Sequence, residues 1–177
     1  FYMGNFVEVV NKAHFNSFVI NSLLITLMSL VGIAIFVPLV SYAIARNFRK
    51  RYYRAIYVLF IAGAFVPFTV VMVPQIKLMS GLNAINMYGL GLLYWVFALS
   101  EGCLLTVSYV NSIPKELDEA AFIDGASVPR TFFVIIYPMM KPIVSAVLIM
   151  DALWIWNDFL LPYLVLDLNK YKTISIV

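Results

Sequence analysis

Two sets of side chains in this 177-residue chain have the types and spacing to do chemistry. The first is acidic and crowded. Glu116, Asp118, Glu119 and Asp124 fall close together in "ELDEAAFIDGASVPRTFFVIIYPMMKP" (Glu116 to Pro142), a punctuated stretch between apolar runs. Carboxylates on a short, stiff helix suit a knob pushed into a partner's groove, where an enclosed ion pair counts for more than an exposed one. The second set lies inside the apolar runs: Glu101, Asp151 and Asp158. Acids in such places are costly and usually face a cavity or a partner. Asp151, Trp154 and Asp158 recur at i, i+3 and i+7, one face of a helix. Carboxylates beside a ring suit a sugar pathway, because rings stack on sugars and carboxylates accept hydroxyl protons. The plainer alternative is a bond to a neighbouring helix or, for Asp158, to water at headgroup level. Glu101 receives no assignment.

Other reactive groups are sparse. The single cysteine, Cys103, sits in an apolar run, so it reads as a small buried hydrophobe and no disulfide or zinc framework is available. The single histidine, His14, lies outside the apolar runs and reads as a solvated loop residue. No G-x-x-x-x-G-K-[ST] loop is present, so ATP is not bound by that route. A catalytic triad or zinc site needs more than this. The chain reads as a non-enzyme.

The elements that position these groups are membrane helices. Hydrophobic residues make up 63% of the chain and charged ones 12%, well away from soluble composition. A spanning helix takes about 20 mostly apolar residues, and four segments qualify: Phe18 to Ala45, Ala55 to Met79, Gly89 to Tyr109 and Ile143 to Leu166. Asn21, Ser22, Pro38, Pro67 and Pro74 interrupt the first two, tolerable where neighbours satisfy the freed backbone. Turn chemistry marks Ser80 to Gly89 and Asp167 to Lys172. The opening at Phe1 and the apolar "TISIV" close read as part of a longer subunit, with a further span expected at each end and no signal peptide visible.

Charge sets the orientation. Arg46, Arg49, Lys50, Arg51, Arg54, Lys115, Arg130 and Lys141 fall on one side of a four-span path, against Lys12, Lys77, Lys170 and Lys172 on the other. The positive-inside bias places the basic loop 46–54 and the loop 110–142 in the cytoplasm, and residues 1–16 outside. This accounts for the basic cluster without nucleic acid or an anionic-lipid patch. Tyr52, Tyr53 and Tyr57 at the inner boundary, with Trp154, Trp156 and Tyr163 toward the outer one, agree.

Within 110–142, Ser112, Pro114 and the acids Glu116, Asp118 and Glu119 make a helix start. Ile113, Leu117, Ala120 and Ala121 share one helical face, which leaves Asp118, Glu119 and Phe122 to point elsewhere. Gly125 in "DGAS" supplies a left-handed turn. A second short helix is expected from Pro129 to Pro138, giving two helices across the ends of the spans. An ordinary interfacial helix would favour Lys and Arg on its polar face, and this one is acidic.

These residues also carry a resemblance. Glu119-Ala120-Ala121, three residues, Gly125, nine residues, Ile135, two residues and Pro138 match the EAA motif of ABC importer permeases, with Tyr137 where the family usually has leucine. "FNSFVINSLLIT", "VPQIKLMSGLNAINMYG", "SIPKELDEAAFIDGAS" and "WIWNDFLLPYLVL" are similar to the carbohydrate-importer branch, most like its maltose-type smaller permease subunit, in the same order along the chain. The resemblance implies an all-α bundle, six spans in the full subunit and about four here. It implies a second permease as partner, and two cytoplasmic ATPase subunits that hold ATP and Mg. It also implies an extracytoplasmic binding protein delivering a sugar, in a bacterial or archaeal inner membrane. By motif position it assigns Glu119, Ala120, Ala121, Asp124, Gly125 and Pro138 to ATPase coupling: the glutamate pairs with a basic residue of the ATPase, the alanines pack closely and the glycine permits the turn. An ion-coupled secondary transporter or channel using Glu101, Asp151 and Asp158 is the competing reading, and a membrane scaffold a third. Neither explains the spacing of glycine and proline.

Overall fold

The computed structural model describes residues 15–166 and 173–176. His14, Lys12, nearly all of the expected outer segment 1–16 and the turn Asp167 to Lys172 lie outside the described residues. Among the described residues the regular structure is helical throughout: α1 (Phe15–Arg46), α2 (Arg51–Ala64), α3 (Phe68–Gly81), α4 (Met87–Ser112), α5 (Glu116–Ile123), α6 (Val128–Thr131), a π-helical turn (Phe132–Ile136), α7 (Tyr137–Asn157) and α8 (Leu160–Val165). Three helices are long and apolar enough to cross a membrane, Phe15–Arg46, Met87–Ser112 and the continuous Val128–Asn157. A fourth crossing is available if α2 and α3 count together. The chain is an all-α polytopic membrane protein.

The first and third expected spans match α1 and α4; the other two are corrected. The expected span from Ala55 to Met79 is two helices of 14 residues each, broken at Phe65 to Pro67. Pro67 has no N–H to give, and its ring pushes Val66 away from helical backbone. The fourth span is shifted. Its helix begins at Val128 and ends at Asn157 instead of running from Ile143 to Leu166. The expected stop at Pro138 does not occur, because the π turn ends immediately before it. Tyr137 donates its N–H back to Phe132, five residues earlier. That wider turn makes room for a proline ring, which would otherwise collide with the carbonyl four residues back.

The chain divides into two compact units. One takes residues 31–67 and 95–151, the other residues up to 30, 68–94 and from 152 onward. The first unit has a continuous core of Tyr42, Ile44, Cys103, Val107, Ile136 and Met140 with their neighbours. Its helices approach closely. A Cβ on Gly32 would stand 2.0 Å from the Trp95 ring, so only glycine lets the indole lie there. Buried hydroxyls are paired within it: Ser41 Oγ donates to Thr106 Oγ1 at 2.8 Å, and Thr106 donates to the Gly102 carbonyl.

Pro38, inside α1, removes one backbone donor and leaves the Ala34 carbonyl without its helical partner. The Tyr137 hydroxyl donates to that carbonyl at 3.2 Å. A freed backbone acceptor in an apolar environment is costly unless a neighbour answers it, and here one does. In the second unit, Ile25, Met79, Leu90, Tyr94, Ile155 and Leu161 are buried. The Ser22 hydroxyl accepts the Ile174 N–H at 2.9 Å.

Candidate functional site

The acidic stretch folds locally for reasons visible in its residues. α5 carries Glu116, Asp118 and Glu119 in its first turn, where the helix dipole favours negative charge. It ends in a Schellman turn. Gly125 sits at φ +81°, its N–H donates to the Phe122 carbonyl at 3.0 Å, and the Ala126 N–H reaches back to Ala121 at 2.9 Å. A side chain at Gly125 would meet nothing within 4 Å, so glycine is needed there for its backbone, not for space. Ser127 is then extended, and Pro129 lies in the first turn of α6. Within the expected loop 110–142, α4 therefore runs on to Ser112 and helix resumes at Val128.

The structure gathers Glu119, Ala120, Ala121, Asp124 and Gly125 on α5 and its closing turn. Pro138 stands apart, exposed, one residue into α7. Glu119 is exposed and no described residue pairs with it. Phe122 is exposed, as expected, and Ile123 beside it is 86% exposed, an apolar tip on an acidic helix. A hollow of about 220 Å³ opens next to this tip, lined by Ala121, Asp124, Ala126, Arg130, Val134 and Ile135.

Two expectations for α5 are corrected. Ala120 is exposed, not packed inward; Ala121 alone of the pair is buried. Asp118 does not point outward: it is 5% exposed. Its Oδ1 accepts the Tyr42 hydroxyl at 2.5 Å, and its Oδ2 stands 2.7 Å from Arg46 Nη2. That second contact is an ion pair by distance, yet its N–H is not aimed along the line to the oxygen. Nη2, Nε and Oδ2 all lack a well-directed hydrogen bond. Arg46 Nη1 also donates to the carbonyls of Val110 and Ile113, at 3.3 and 3.1 Å. Two side chains that sequence reading had spent on topology and on an outer face therefore form a buried anchor. The signal was present. Asp118 lies three residues before the buried Ala121, about one helical turn, so it belongs to the inward stripe. Arg46 closes an apolar run that ends in the same core.

The intramembrane acids fall differently. α7 ends at Asn157, so Asp151, Trp154 and Asp158 do not share one uninterrupted helical face as the spacing predicts. Asp158 stops the helix by serving the next one: its Oδ1 accepts the N–H groups of Leu160 and Leu161 at 3.0 and 3.4 Å. Its Oδ2 accepts the buried Tyr94 hydroxyl at 2.9 Å, and the Tyr94 ring meets Trp154 edge-on, centroids 5.6 Å apart. Asp151 is buried on α7 and accepts no hydrogen bond from a described residue; Glu101, in the same unit, lies within Coulombic range.

Comparison with known proteins is consistent along most of this length. A family model described as binding-protein-dependent transport system inner membrane component matches residues 38–174. The chain is 46% identical over 149 residues to the multiple sugar-binding transport system permease protein MsmG of Streptococcus mutans, covering 83% of this chain and 54% of that protein. It is 36% identical over 157 residues to the probable starch degradation products transport system permease protein AmyC of Thermoanaerobacterium thermosulfurigenes, covering 89% and 57%. The melibiose/raffinose/stachyose import permease protein MelC of Bacillus subtilis is 31% identical over 174 residues, 97% of this chain and 63% of that one. The chain thus spans less than two thirds of the length of each of these relatives. With α5, its glycine turn and the Arg46 anchor all inside the matched residues, the chain belongs to the family of inner-membrane components of binding-protein-dependent transport systems.

Proposed function

We propose that the chain is the permease part of an ATP-driven importer for a carbohydrate, moving solute by alternating access while a separate ATPase turns over outside the membrane. An extracytoplasmic binding protein delivers the sugar, and a second permease completes the pathway. The sugar class rests on the relatives, whose names give multiple sugars, starch degradation products, and melibiose, raffinose and stachyose. The bias of basic residues supports a cytoplasmic position for α5.

The observation that carries the reading is the form of α5: a short acidic helix closed by Gly125, its unpaired Glu119 beside the exposed apolar pair Phe122 and Ile123. Exposed apolar groups next to an uncompensated acid suit a partner groove with a basic residue at its rim. Glu119 makes that pair, Gly125 shapes the turn, Ala120 and Ala121 allow close approach, and Asp124 and Arg130 both border the hollow. Pro138 acts at a distance, through the start of α7. Asp151, Trp154 and Asp158 are assigned to the sugar route. Asp151 has the strongest claim, since its carboxylate is free to accept hydroxyl protons whereas both Asp158 oxygens are already bonded. Coupling requires that the contact at α5 differ in strength between the two states of the transporter.

The test is co-purification. The full-length subunit is expressed with its second permease and ATPase, beside a Gly125→Asp version. The ATPase is expected to remain with the wild type and to be lost or strongly reduced with the variant. Equal retention in both would remove α5 as the coupling element.

A further inference from the structure

Three elements meet at the Arg46 guanidinium. It ends α1, donates to carbonyls at and just past the end of α4, and pairs with Asp118 on α5. Tyr42, one turn earlier on α1, donates to Asp118, places its ring 5.8 Å from the Arg46 carbon Cζ, and packs against Phe132 of the π turn with centroids 5.2 Å apart. By contrast, α5 is joined to its neighbours in sequence only through Pro114 at one end and the extended Ser127 at the other. Covalent connection alone would leave it a loosely hinged knob.

We propose that Tyr42, Arg46 and Asp118 form a rigid joint, so that α5 and the closing turn of α1 move as one body. The proposal rests on the coupling role of α5 given above and adds where its motion goes. A push on Glu119 or the Gly125 turn cannot tilt α5 away from α1 without stranding the Arg46 and Asp118 charges in a site that excludes water. That costs far more than flexing an exposed loop. The path runs from Asp118 to the last turn of α1, and through the Val110 and Ile113 carbonyls to the end of α4. Tyr42, Arg46 and Asp118 are positioning residues: they face inward and are not available to the ATPase.

The experiment is a distance measurement in the assembled transporter with its second permease and ATPase. Spin labels are placed at Leu39 on α1 and Glu116 on α5, both exposed and neither in the docking contact, with the buried Cys103 left in place. Distances are recorded without nucleotide and after trapping with ATP and vanadate. The joint predicts one narrow distance that does not change between the two states, and at least a doubling of its width in Asp118→Asn. Tyr42→Phe, which keeps the ion pair, is expected to give an intermediate width and supplies the comparison if Asp118→Asn does not fold. A wild-type distance that shifts on trapping, or variants as narrow as wild type, would overturn the proposal. If the wild type never retains the ATPase, the coupling reading fails. The widths measured on the chain alone then still decide whether the joint exists.

Discussion

Replacing Asp118 with alanine gives a direct measure of what the buried anchor contributes. The carboxylate accepts one hydroxyl bond and faces a guanidinium whose side chain is about 10% exposed. Losing a hydrogen bond to a charged group costs about 1.5–3 kcal/mol, and stranding one partner of a buried pair about 3–5 kcal/mol. These overlap, since both describe the same carboxylate. Arg46 keeps its two carbonyl acceptors, which softens the loss. The expected net cost is about 3 kcal/mol. Cys103 supplies the assay. It is the chain's only cysteine, fully buried, and belongs to the same core as Tyr42, Val110, Ile113 and Phe132. A thiol-reactive dye reaches it only when that core opens, so the labelling rate follows the opening equilibrium at about tenfold per 1.4 kcal/mol. Asp118→Ala should therefore label about 100-fold faster than wild type in mild detergent. Arg46→Met should label faster too, and the two losses should not add, because each single change strands what the double change removes. A labelling rate within a few-fold of wild type, or strict additivity, would mean that the 2.7 Å pair is a close approach without energetic weight.

Two further outcomes follow from single contacts. Asp158→Ala removes the cap on α8 and the acceptor for Tyr94, costing about 1–2 kcal/mol, to be seen as faster amide exchange at Leu160 and Leu161 with little change at Cys103. Tyr137→Phe leaves the Ala34 carbonyl unanswered and should cost about 1 kcal/mol in the Cys103 labelling assay. Pro38→Ala restores the helical donor and should erase most of that difference.

The fold class was legible because lipid imposes a length and a composition, and the ends of α1 and α4 fall within three residues of those expected. What blurred was the start and stop of helices at prolines. Pro38 leaves its helix continuous, Pro67 ends one, and Pro138 passes because five residues before it widen into a π turn. Which outcome holds depends on what answers the freed carbonyl, and Tyr137 answering Ala34 spans more than a hundred positions of sequence. The Gly125 turn was legible since a helix end followed by glycine is a local signal. Asp118 was not, because an acid among acids reads as part of a solvated face. Its partner Arg46 was fully accounted for by the charge bias across the membrane. One residue served two arguments, and only the nearer one was visible.

The π turn also says where this chain tolerates a change in length. A five-residue return in place of a four-residue one is an α-helix holding one residue more than its geometry needs. Each residue advances a regular helix by about 100°. Deleting one residue in the middle of α7 would swing Met140 or Val147 away from the core, according to which side of the cut each lies on. Deleting one between Phe132 and Ile136 would instead convert the wide turn to an ordinary one and leave every later side chain facing as it does now. Only the room made for Pro138 would be lost, so paired with Pro138→Ala the shortened chain should fold, with Cys103 protected. The surplus residue thus acts as a phase adjuster between the acidic segment and the last long helix.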